Sequence, residues 1–222
     1  MTDVPKIVPD KIATLAQTRF VSLYDLAYED GSHYFDASRR QKDDLLACKS
    51  ERELRRTLPD AVSCCLVLVT NDAAPRLVLS YEYRYPTGQY VLGIPSGLVD
   101  EADKQTADPL VRAMRREIAE EVGLHVSESD RIWVVNPFLF NSPGLTDEAT
   151  ALLCAVVRRA DDSGLTHAGS EGTERFDGFE LLTKPQVEDV LERGYDRHGH
   201  YYPLVAWAAM TYFVTDQWTK IG

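Results

Sequence analysis

Three glutamates, Glu117, Glu120 and Glu121, lie close together in one stretch of predicted helix, where their side chains could bind a divalent cation. On a helix that begins at Pro109, at about 100° per residue, they fall within an arc of about 100° beside an apolar stripe. Carboxylates this close repel each other, and partial burial raises the cost of their charge, so helix stability alone explains the cluster poorly. Magnesium takes oxygen ligands and binds through a few carboxylates together with substrate phosphates. A metal site of this kind is therefore one interpretation of the spacing.

The helix that carries these glutamates has recognisable ends in the sequence. Asp108 is a residue type typical of an N-cap, and Pro109 suits the first helical position. Gly123 suits the left-handed conformation that ends a helix. Arg116 precedes Glu120 by four residues, so the two side chains are expected to pair. The alternative interpretation is a solvated acidic helix face balanced by the neighbouring arginines, Arg112, Arg115 and Arg116.

Residues 116–124, with the sequence Arg-Glu-Ile-Ala-Glu-Glu-Val-Gly-Leu, match the second half of the Nudix box. The pattern of that family is Gly-x5-Glu-x7-Arg-Glu-U-x-Glu-Glu-x-Gly-U, where U is an aliphatic residue. The first half differs, because Asp108 stands at the position of the first glutamate and Gly97 lies five residues further upstream than the pattern places it. We infer a five-residue insertion within 101–107, in the loop before the helix.

Two flanking segments resemble one branch of the family, the ADP-ribose pyrophosphatases. Upstream, residues 83–86 (Tyr-Arg-Tyr-Pro) and 94–100 (Ile-Pro-Ser-Gly-Leu-Val-Asp) are similar to the branch elements Tyr-Arg-x-Pro and Pro-Ala-Gly-x-x-Asp. Downstream, residues 142–148 (Ser-Pro-Gly-Leu-Thr-Asp-Glu) are similar to Ser-Pro-Gly-x-x-x-Glu. With all three elements in order, the metal site is favoured over a solvated acidic face.

The resemblance implies Mg²⁺-dependent hydrolysis, with Mn²⁺ as the other candidate metal, of the diphosphate of ADP-ribose to AMP and ribose 5-phosphate. This reaction needs an activated water, neutralisation of charge on two phosphates, and a carboxylate that takes a proton. Glu117 and Glu121 are the first candidates for metal ligands, followed by Glu120. The backbone carbonyl of Ser96 corresponds to a further ligand position of the branch.

The general base of the branch is a glutamate on a loop after the later strands, and the loop at residues 167–175 offers both Glu171 and Glu174. Glycines at 169 and 172 would let this loop close over a substrate. Arg116 and Glu120 complete the catalytic candidates. The resemblance further implies six substrate-binding residues: Arg84 for the diphosphate, Phe35, Asp36 and Arg40 for adenine, and Leu98 and Glu148 beside the substrate or the metals.

The composition limits partners and location. The 24 basic and 35 acidic residues give a net charge of −11, which argues against binding to nucleic acid or to an anionic membrane. The four cysteines form no CxxC pair and are expected to be reduced thiols of the core. No apolar run reaches the roughly 18 residues of a membrane span, and the first residues lack the apolar region of a signal peptide. We therefore expect a cytoplasmic protein.

The resemblance also implies the fold class, α/β, with a Nudix-type α/β/α sandwich and a mixed sheet at residues 59–222. The apolar residues of 202–218 predict a helix at the end of this domain. A small N-terminal β lobe is expected at 1–58, with a hairpin that turns at 29–32. In the branch this lobe is exchanged across a homodimer and contributes to the partner's nucleotide site. The lobe has few apolar residues for a core of its own, which is consistent with docking onto another surface.

Two alternatives stay open at this stage. The same chemistry could act on another nucleoside diphosphate sugar or a dinucleotide, because the residues that would select base and sugar lie in the poorly matched lobe. A sensor without catalytic activity is the other alternative, although only about 40 residues follow Leu182 and they are not basic enough for DNA recognition.

Overall fold

The computed structural model describes residues 4–71, 73–170 and 172–220. They fall into two compact units. The first comprises residues up to 60 together with 138–150, and the second comprises 61–137 with the residues from 151 onward. The sequence predicts a domain boundary after residue 58. The first unit also includes residues 138–150, which lie far from its N-terminal part along the chain.

The strands are β1 (Ala13–Gln17), β2 (Ser22–Ala27), β3 (His33–Ser38), β4 (Ala61–Thr70), β5 (Arg76–Arg84), β6 (Gln89–Gly93), β7 (Ser96–Leu98), β8 (Arg131–Phe140), β9 (Ala149–Arg159) and β10 (Phe176–Thr183). The α-helices are α1 (Glu51–Leu54), α2 (Glu101–Lys104), α3 (Pro109–Glu117), α4 (Lys184–Arg193) and α5 (Leu204–Val214).

The first unit contains a three-stranded antiparallel sheet in the order β1-β2-β3. Strands β2 and β3 form the predicted hairpin. In its turn the N–H of Ser32 donates to the carboxylate of Asp30 at 2.9 Å. The unit builds a small buried core, which its low apolar content does not predict; the core consists of Ile12, Tyr24, Leu26 and Leu45.

Seven strands form the larger sheet, in the order β10-β5-β4-β9-β8, with β6 paired to β5 and β7 paired to β4. Strands β4 and β9 are buried along almost their full length, in agreement with their continuous apolar sequences. Helix α3 packs on the face of β4 that carries Cys64 and Leu66. Helix α5 also packs against β4. The predicted α/β sandwich with a mixed sheet is confirmed.

The helical segment with the three glutamates begins at Pro109 and ends at Gly123, as the sequence predicts. Gly123 has a φ of 75°, the left-handed conformation that glycine adopts without strain. Between these ends the α-helix stops at Glu117, and residues Ile118–Val122 form a π-helical turn, a feature often found at functional sites. We call the whole segment 109–122 the box helix. Asp108 is the N-cap residue, as predicted, although its side chain makes no cap hydrogen bond.

The apolar stripe of the box helix is confirmed, since Met114, Ile118 and Val122 are fully buried. At the C-terminal side of the chain, α4 begins at the predicted residue 184, and α5 covers residues 204–214 of the helix expected over 202–218. The four cysteines, all within the described ranges, are free, and three of them are buried. None of the helices in the described part of the chain is long and apolar enough to cross a membrane.

Candidate active site

Two of the three glutamates that the sequence singles out are buried. Glu117 and Glu121 expose only 6% and 5% of their surfaces, whereas the side chain of Glu120 is 38% exposed. The backbone N–H of Ser96, at the start of β7, donates to the carboxylate of Glu121 at 3.0 Å. The structure therefore brings Ser96 into direct contact with one of the candidate metal ligands.

Gly97 lies against the side chain of Glu117. A methyl group on residue 97 would overlap the Glu117 carboxyl group, so only glycine leaves room for this carboxylate. Since Ser96 contacts Glu121 and Gly97 contacts Glu117, two consecutive residues of β7 hold the two buried glutamates of the box helix. The glycine at position 97 therefore allows β7 to pack closely against the box helix.

Arg116 connects the acidic groups of the site. Its Nη1 donates to the carboxylates of Glu117 at 2.7 Å and Glu120 at 3.0 Å. Its Nη2 donates to the backbone carbonyl of Leu98 at 2.8 Å. The pair that the sequence predicts between Arg116 and Glu120 thus forms, and the same guanidinium also fixes Glu117 and the end of β7.

Asp103 is a site residue that sequence reasoning missed. It lies in α2, inside the predicted insertion, and only 2% of it is exposed. Its carboxylate accepts from Arg116 at 3.2 Å and from Arg112 at 3.3 Å. Asp103 lies six residues after Gly97, at the spacing of the first Nudix-box glutamate, so counting forward from the glycine would have found it. The residue paired with Arg116 is therefore Asp103, and the extra residues follow it in the chain.

Burial and mutual repulsion raise the pKa values of the two inner glutamates. Burial raises the pKa of Glu117 to about 7, against the opposing effect of Arg116, and the charges of Glu120 and Glu174 raise it further. Burial also raises the pKa of Glu121 well above its usual value. The N–H of Ser96 opposes that shift, while the charge of Glu117 adds to it. Several negative charges thus converge on one small region.

Strand β5 adds a carboxylate that the sequence analysis did not consider. The side chain of Glu82 is 12% exposed, and its Oε2 lies 2.5 Å from Nη2 of Arg84. Burial raises the pKa of Glu82, and the charge of Glu174 contributes to the shift. Residues two apart on a strand share a face, so the choice of Arg84 as a binding candidate could have pointed to Glu82 as well. The same pairing shows that Arg84, with 48% of its side chain exposed, has a defined partner.

Of the two candidate bases, the structure describes Glu174, whereas Glu171 lies outside the described residues. The charge of Glu174 raises the pKa values of Glu82, Glu117 and Glu121, which places it near all three. Gly169, predicted to provide flexibility, lies against the backbone of the box helix. A Cβ there would come within 2.8 Å of the carbonyl oxygen of Glu120, so its small size has a packing role.

The donor chemistry of this region fits a hard divalent cation. Carboxylate and carbonyl oxygens are the ligands that magnesium prefers, and the close contact of Gly97 with Glu117 holds one such carboxylate beside β7. Within the part of the chain that the structure describes, no group of three or more acidic, histidine or cysteine side chains is arranged closely enough to hold a metal ion by itself. One oxygen of each of the three carboxylates accepts a hydrogen bond, from Arg116 in Glu117 and Glu120 and from the N–H of Ser96 in Glu121.

Four candidate substrate-binding residues lie in the first unit. Phe35 is 58% exposed on β3. Asp36 is buried, its carboxylate accepts from the N–H of Asp147 at 3.0 Å, and burial together with the charge of Asp147 raises its pKa to about 6. Arg40 has only 8% of its side chain exposed and donates to Asp60 at 2.9 Å. These contacts give Asp36 and Arg40 structural roles inside the unit.

Glu148 closes the loop between β8 and β9. Its carboxylate accepts from Asn141 Nδ2 at 2.9 Å and from Arg39 Nε at 2.8 Å. Its backbone carbonyl also accepts from the N–H of Asn141. The structure therefore assigns this carboxylate a loop-closing role in the first unit.

No protein-family model matches the chain. In sequence it is 33% identical over 90 residues to Nudix hydrolase 14 of Arabidopsis thaliana, a chloroplastic protein, and 31% identical over 90 residues to the ADP-ribose pyrophosphatase of Mycobacterium tuberculosis. An uncharacterised Nudix hydrolase of Schizosaccharomyces pombe is 32% identical over 96 residues. These matches cover 37%, 40% and 43% of this chain, and only 28%, 40% and 42% of the relatives.

In structure the chain is similar to a solved ADP compounds hydrolase, with a TM-score of 0.57 and 19% identity over 98% of this chain and 95% of that one. At this identity the likeness establishes the fold alone. Fold and sequence together confirm the resemblance to the Nudix hydrolases. Within that class, the resemblance to the ADP-ribose pyrophosphatase branch is confirmed as well.

Proposed function

We propose that this protein is a Nudix hydrolase that cleaves the diphosphate of ADP-ribose and related ADP-sugars into AMP and a sugar phosphate. One observation carries the proposal: β7 lies directly on the box helix, with Ser96 against Glu121 and Gly97 against Glu117. The relative named ADP-ribose pyrophosphatase and the neighbour named ADP compounds hydrolase support the substrate class.

The ligands for the metal in this proposal are Glu117, Glu121 and Glu120, with the backbone carbonyl of Ser96. Bound Mg²⁺, or Mn²⁺ in its place, would neutralise charge on the two phosphates and lower the pKa of a water molecule. Arg116 keeps Glu117 and Glu120 within reach of each other through its two hydrogen bonds from Nη1. Asp103 in turn holds the same guanidinium from the side of α2.

Glu174 is the general base in this proposal, because its charge acts on Glu82, Glu117 and Glu121. It takes a proton from the water whose oxygen bonds to one phosphorus, while the bond from that phosphorus to the bridging oxygen breaks. Glu171 is the alternative base, and Glu174→Gln compared with Glu171→Gln distinguishes them. Replacing the carboxylate of the true base should lower kcat of the enzyme by at least about a hundredfold.

Arg84 binds the diphosphate in this proposal, since its guanidinium is half-exposed and suits a bidentate contact with phosphate oxygens. Leu98, with 42% of its surface exposed at the end of β7, lies beside the proposed metal ligands and contacts the sugar or phosphate. In this proposal Phe35 contacts the adenine bound by the partner subunit of a homodimer, and Asp36, Arg40 and Glu148 support the segments around it through their contacts within the first unit.

A substrate panel tests the proposal. The release of AMP from ADP-ribose is compared with turnover of ADP-glucose, GDP-mannose, NADH and diadenosine substrates, each with Mg²⁺, with Mn²⁺ and with a chelator. We expect ADP-ribose to give the highest kcat/KM and the chelator to abolish turnover. A different nucleotide sugar or dinucleotide at the top of the ranking would contradict the substrate class while leaving the Nudix chemistry in place.

Two further measurements separate an enzyme from a sensor and a dimer from a monomer. Glu121→Gln should reduce kcat by at least about a hundredfold, and unchanged turnover would contradict the metal role of this residue. Light scattering during size-exclusion chromatography should give the mass of a homodimer. A monomer that retains full activity would contradict a nucleotide site shared between subunits.

A further inference from the structure

His167 is attached to the end of the box helix. Its Nδ1 lies 2.6 Å from the backbone carbonyl oxygen of Glu121. A carbonyl oxygen only accepts hydrogen bonds, so Nδ1 carries the proton in this contact. The ring stacks on Phe179 at 3.8 Å and on Phe176 at 4.5 Å between ring centroids. The histidine therefore joins the helix to β10 by one hydrogen bond and two ring contacts.

The residues around His167 make the same connection with backbone groups. The N–H of Thr166 donates to the carbonyl of Val122 at 3.0 Å. Gly169 approaches the backbone of Glu120 so closely that a Cβ would come within 2.8 Å of it. The last carbonyls of a helix have no partner within the helix, and here residues 166 and 167 satisfy two of them in succession. The segment 166–169 is thus a cap on the helix that carries the proposed metal ligands.

The two neighbours of Glu174 contact Tyr83 of β5 and Tyr85, which directly follows the end of that strand. The carbonyl of Thr173 accepts from the hydroxyl of Tyr85 at 3.3 Å. Arg175 donates through Nε to that hydroxyl at 3.1 Å, and its carbonyl accepts from the N–H of Tyr83 at 2.8 Å. Residues 166–169 therefore contact the box helix, and the residues on either side of Glu174 contact the C-terminal end of β5 and Tyr85.

We propose that His167 is a positioning residue for the general base. By tying the loop to the carbonyl of Glu121, it keeps the distance between the Glu174 carboxylate and the proposed metal ligands constant. The inference rests on the proposed function, in which Glu174 takes the proton. The side chain of His167 itself contacts the helix carbonyl and two phenylalanine rings, so it acts through the loop.

Two substitutions separate the hydrogen bond from the ring contacts. His167→Phe keeps an aromatic ring against Phe176 and Phe179 but removes the donor to Glu121. His167→Asn keeps an N–H donor near the position of Nδ1 but removes the stacked ring. Because a small misplacement of a catalytic group costs up to about a hundredfold in rate, we expect kcat of the Phe variant to fall by about tenfold or more. KM should change little, and the Asn variant should recover most of kcat.

Each substitution is also made in the Glu174→Gln background, with His125→Phe, an exposed histidine, as the matched control. If His167 acts through Glu174, the Phe substitution lowers kcat in the wild-type background but has no further effect once the base is gone. An equal loss in both backgrounds, or wild-type kcat for the Phe variant, overturns the inference. Wild-type kcat for both the Glu174→Gln and Glu171→Gln variants contradicts a loop glutamate as the base instead, and so identifies a failure of the proposed function.

Discussion

The carboxyl group of Glu117 lies directly against the α carbon of Gly97, with no room for a Cβ on residue 97. The contact joins a strand to a helix that are separated in the sequence by the whole α2 segment. Because Gly97 has no side chain, the carboxyl group of Glu117, a proposed metal ligand, can occupy this position.

Replacing Gly97 with alanine tests this contact. In Gly97→Ala the new methyl group must displace the Glu117 carboxylate, and we expect kcat/KM to fall by about tenfold or more, since rates respond steeply to misplaced groups. Steady-state kinetics at saturating Mg²⁺ measure the effect. Gly164→Ala is the matched control, because nothing lies within 4 Å of a Cβ at that position. Equal activity of the two variants would show that Glu117 moves without consequence.

Substitutions of Asp103 and Asp108 test which of the two aspartates is the acidic partner of Arg116. Asp103→Ala removes the buried carboxylate that pairs with Arg112 and that is one of several acidic partners of Arg116, so the free energy of unfolding should fall by about 2–3 kcal/mol. Asp108→Ala should change it by less than about 0.5 kcal/mol, because the Asp108 side chain makes no cap hydrogen bond. Urea denaturation of both variants decides between them, and a larger loss at Asp108 would restore it as the residue of the box.

The raised pKa of Glu117 predicts a pH-dependent stability for the metal-free protein. The pKa is 4.5 for an ordinary glutamate and about 7 in the folded state, so the folded state binds the proton more tightly than the unfolded state does. This contribution is fully present below about pH 4.5 and is lost as the pH rises to about 7. Glu121, whose pKa is also raised, adds a loss of the same sign.

Urea denaturation in the presence of a chelator, at several pH values across that window, measures the dependence. Glu117→Gln cannot lose a proton, so the decline in the free energy of unfolding between about pH 4.5 and 7 should be smaller for this variant. The exposed Glu188→Gln serves as the control and should follow the wild type. The same change in the free energy of unfolding across the window for the wild type and for Glu117→Gln would mean that the Glu117 pKa is not raised.

Arg84 should contribute to substrate binding, with Glu82 as the residue that holds it. Hydrogen bonds to charged groups contribute about 1.5–3 kcal/mol, so Arg84→Ala should raise KM for the diphosphate substrate by roughly ten- to a hundredfold. Glu82→Gln keeps a hydrogen-bond acceptor but loses the charge opposite Arg84, and it should raise KM by a smaller factor. An unchanged KM in Arg84→Ala would remove this residue from the binding site.

Much of the fold follows from local sequence signals. The hairpin of β2 and β3, the start and stop of the box helix at Pro109 and Gly123, and the buried strands β4 and β9 all follow from turn residues and apolar patterns. The N-cap at Asp108 follows in the same way from a suitable residue type before a proline, but residue type does not determine side-chain contacts, and this side chain makes no cap hydrogen bond. Such signals act over a few residues, and they are accurate where only neighbouring residues are involved.

The sequence by itself determined that Glu117, Glu120 and Glu121 share one side of a helix, because helical periodicity is a property of adjacent residues. Only the tertiary structure decided that Asp103 pairs with Arg116, that Glu82 joins the acidic region, and that His167 caps the helix carrying the three glutamates. Each of these contacts joins segments brought together by sheet order and packing, and spacing along the chain carries little information about such contacts.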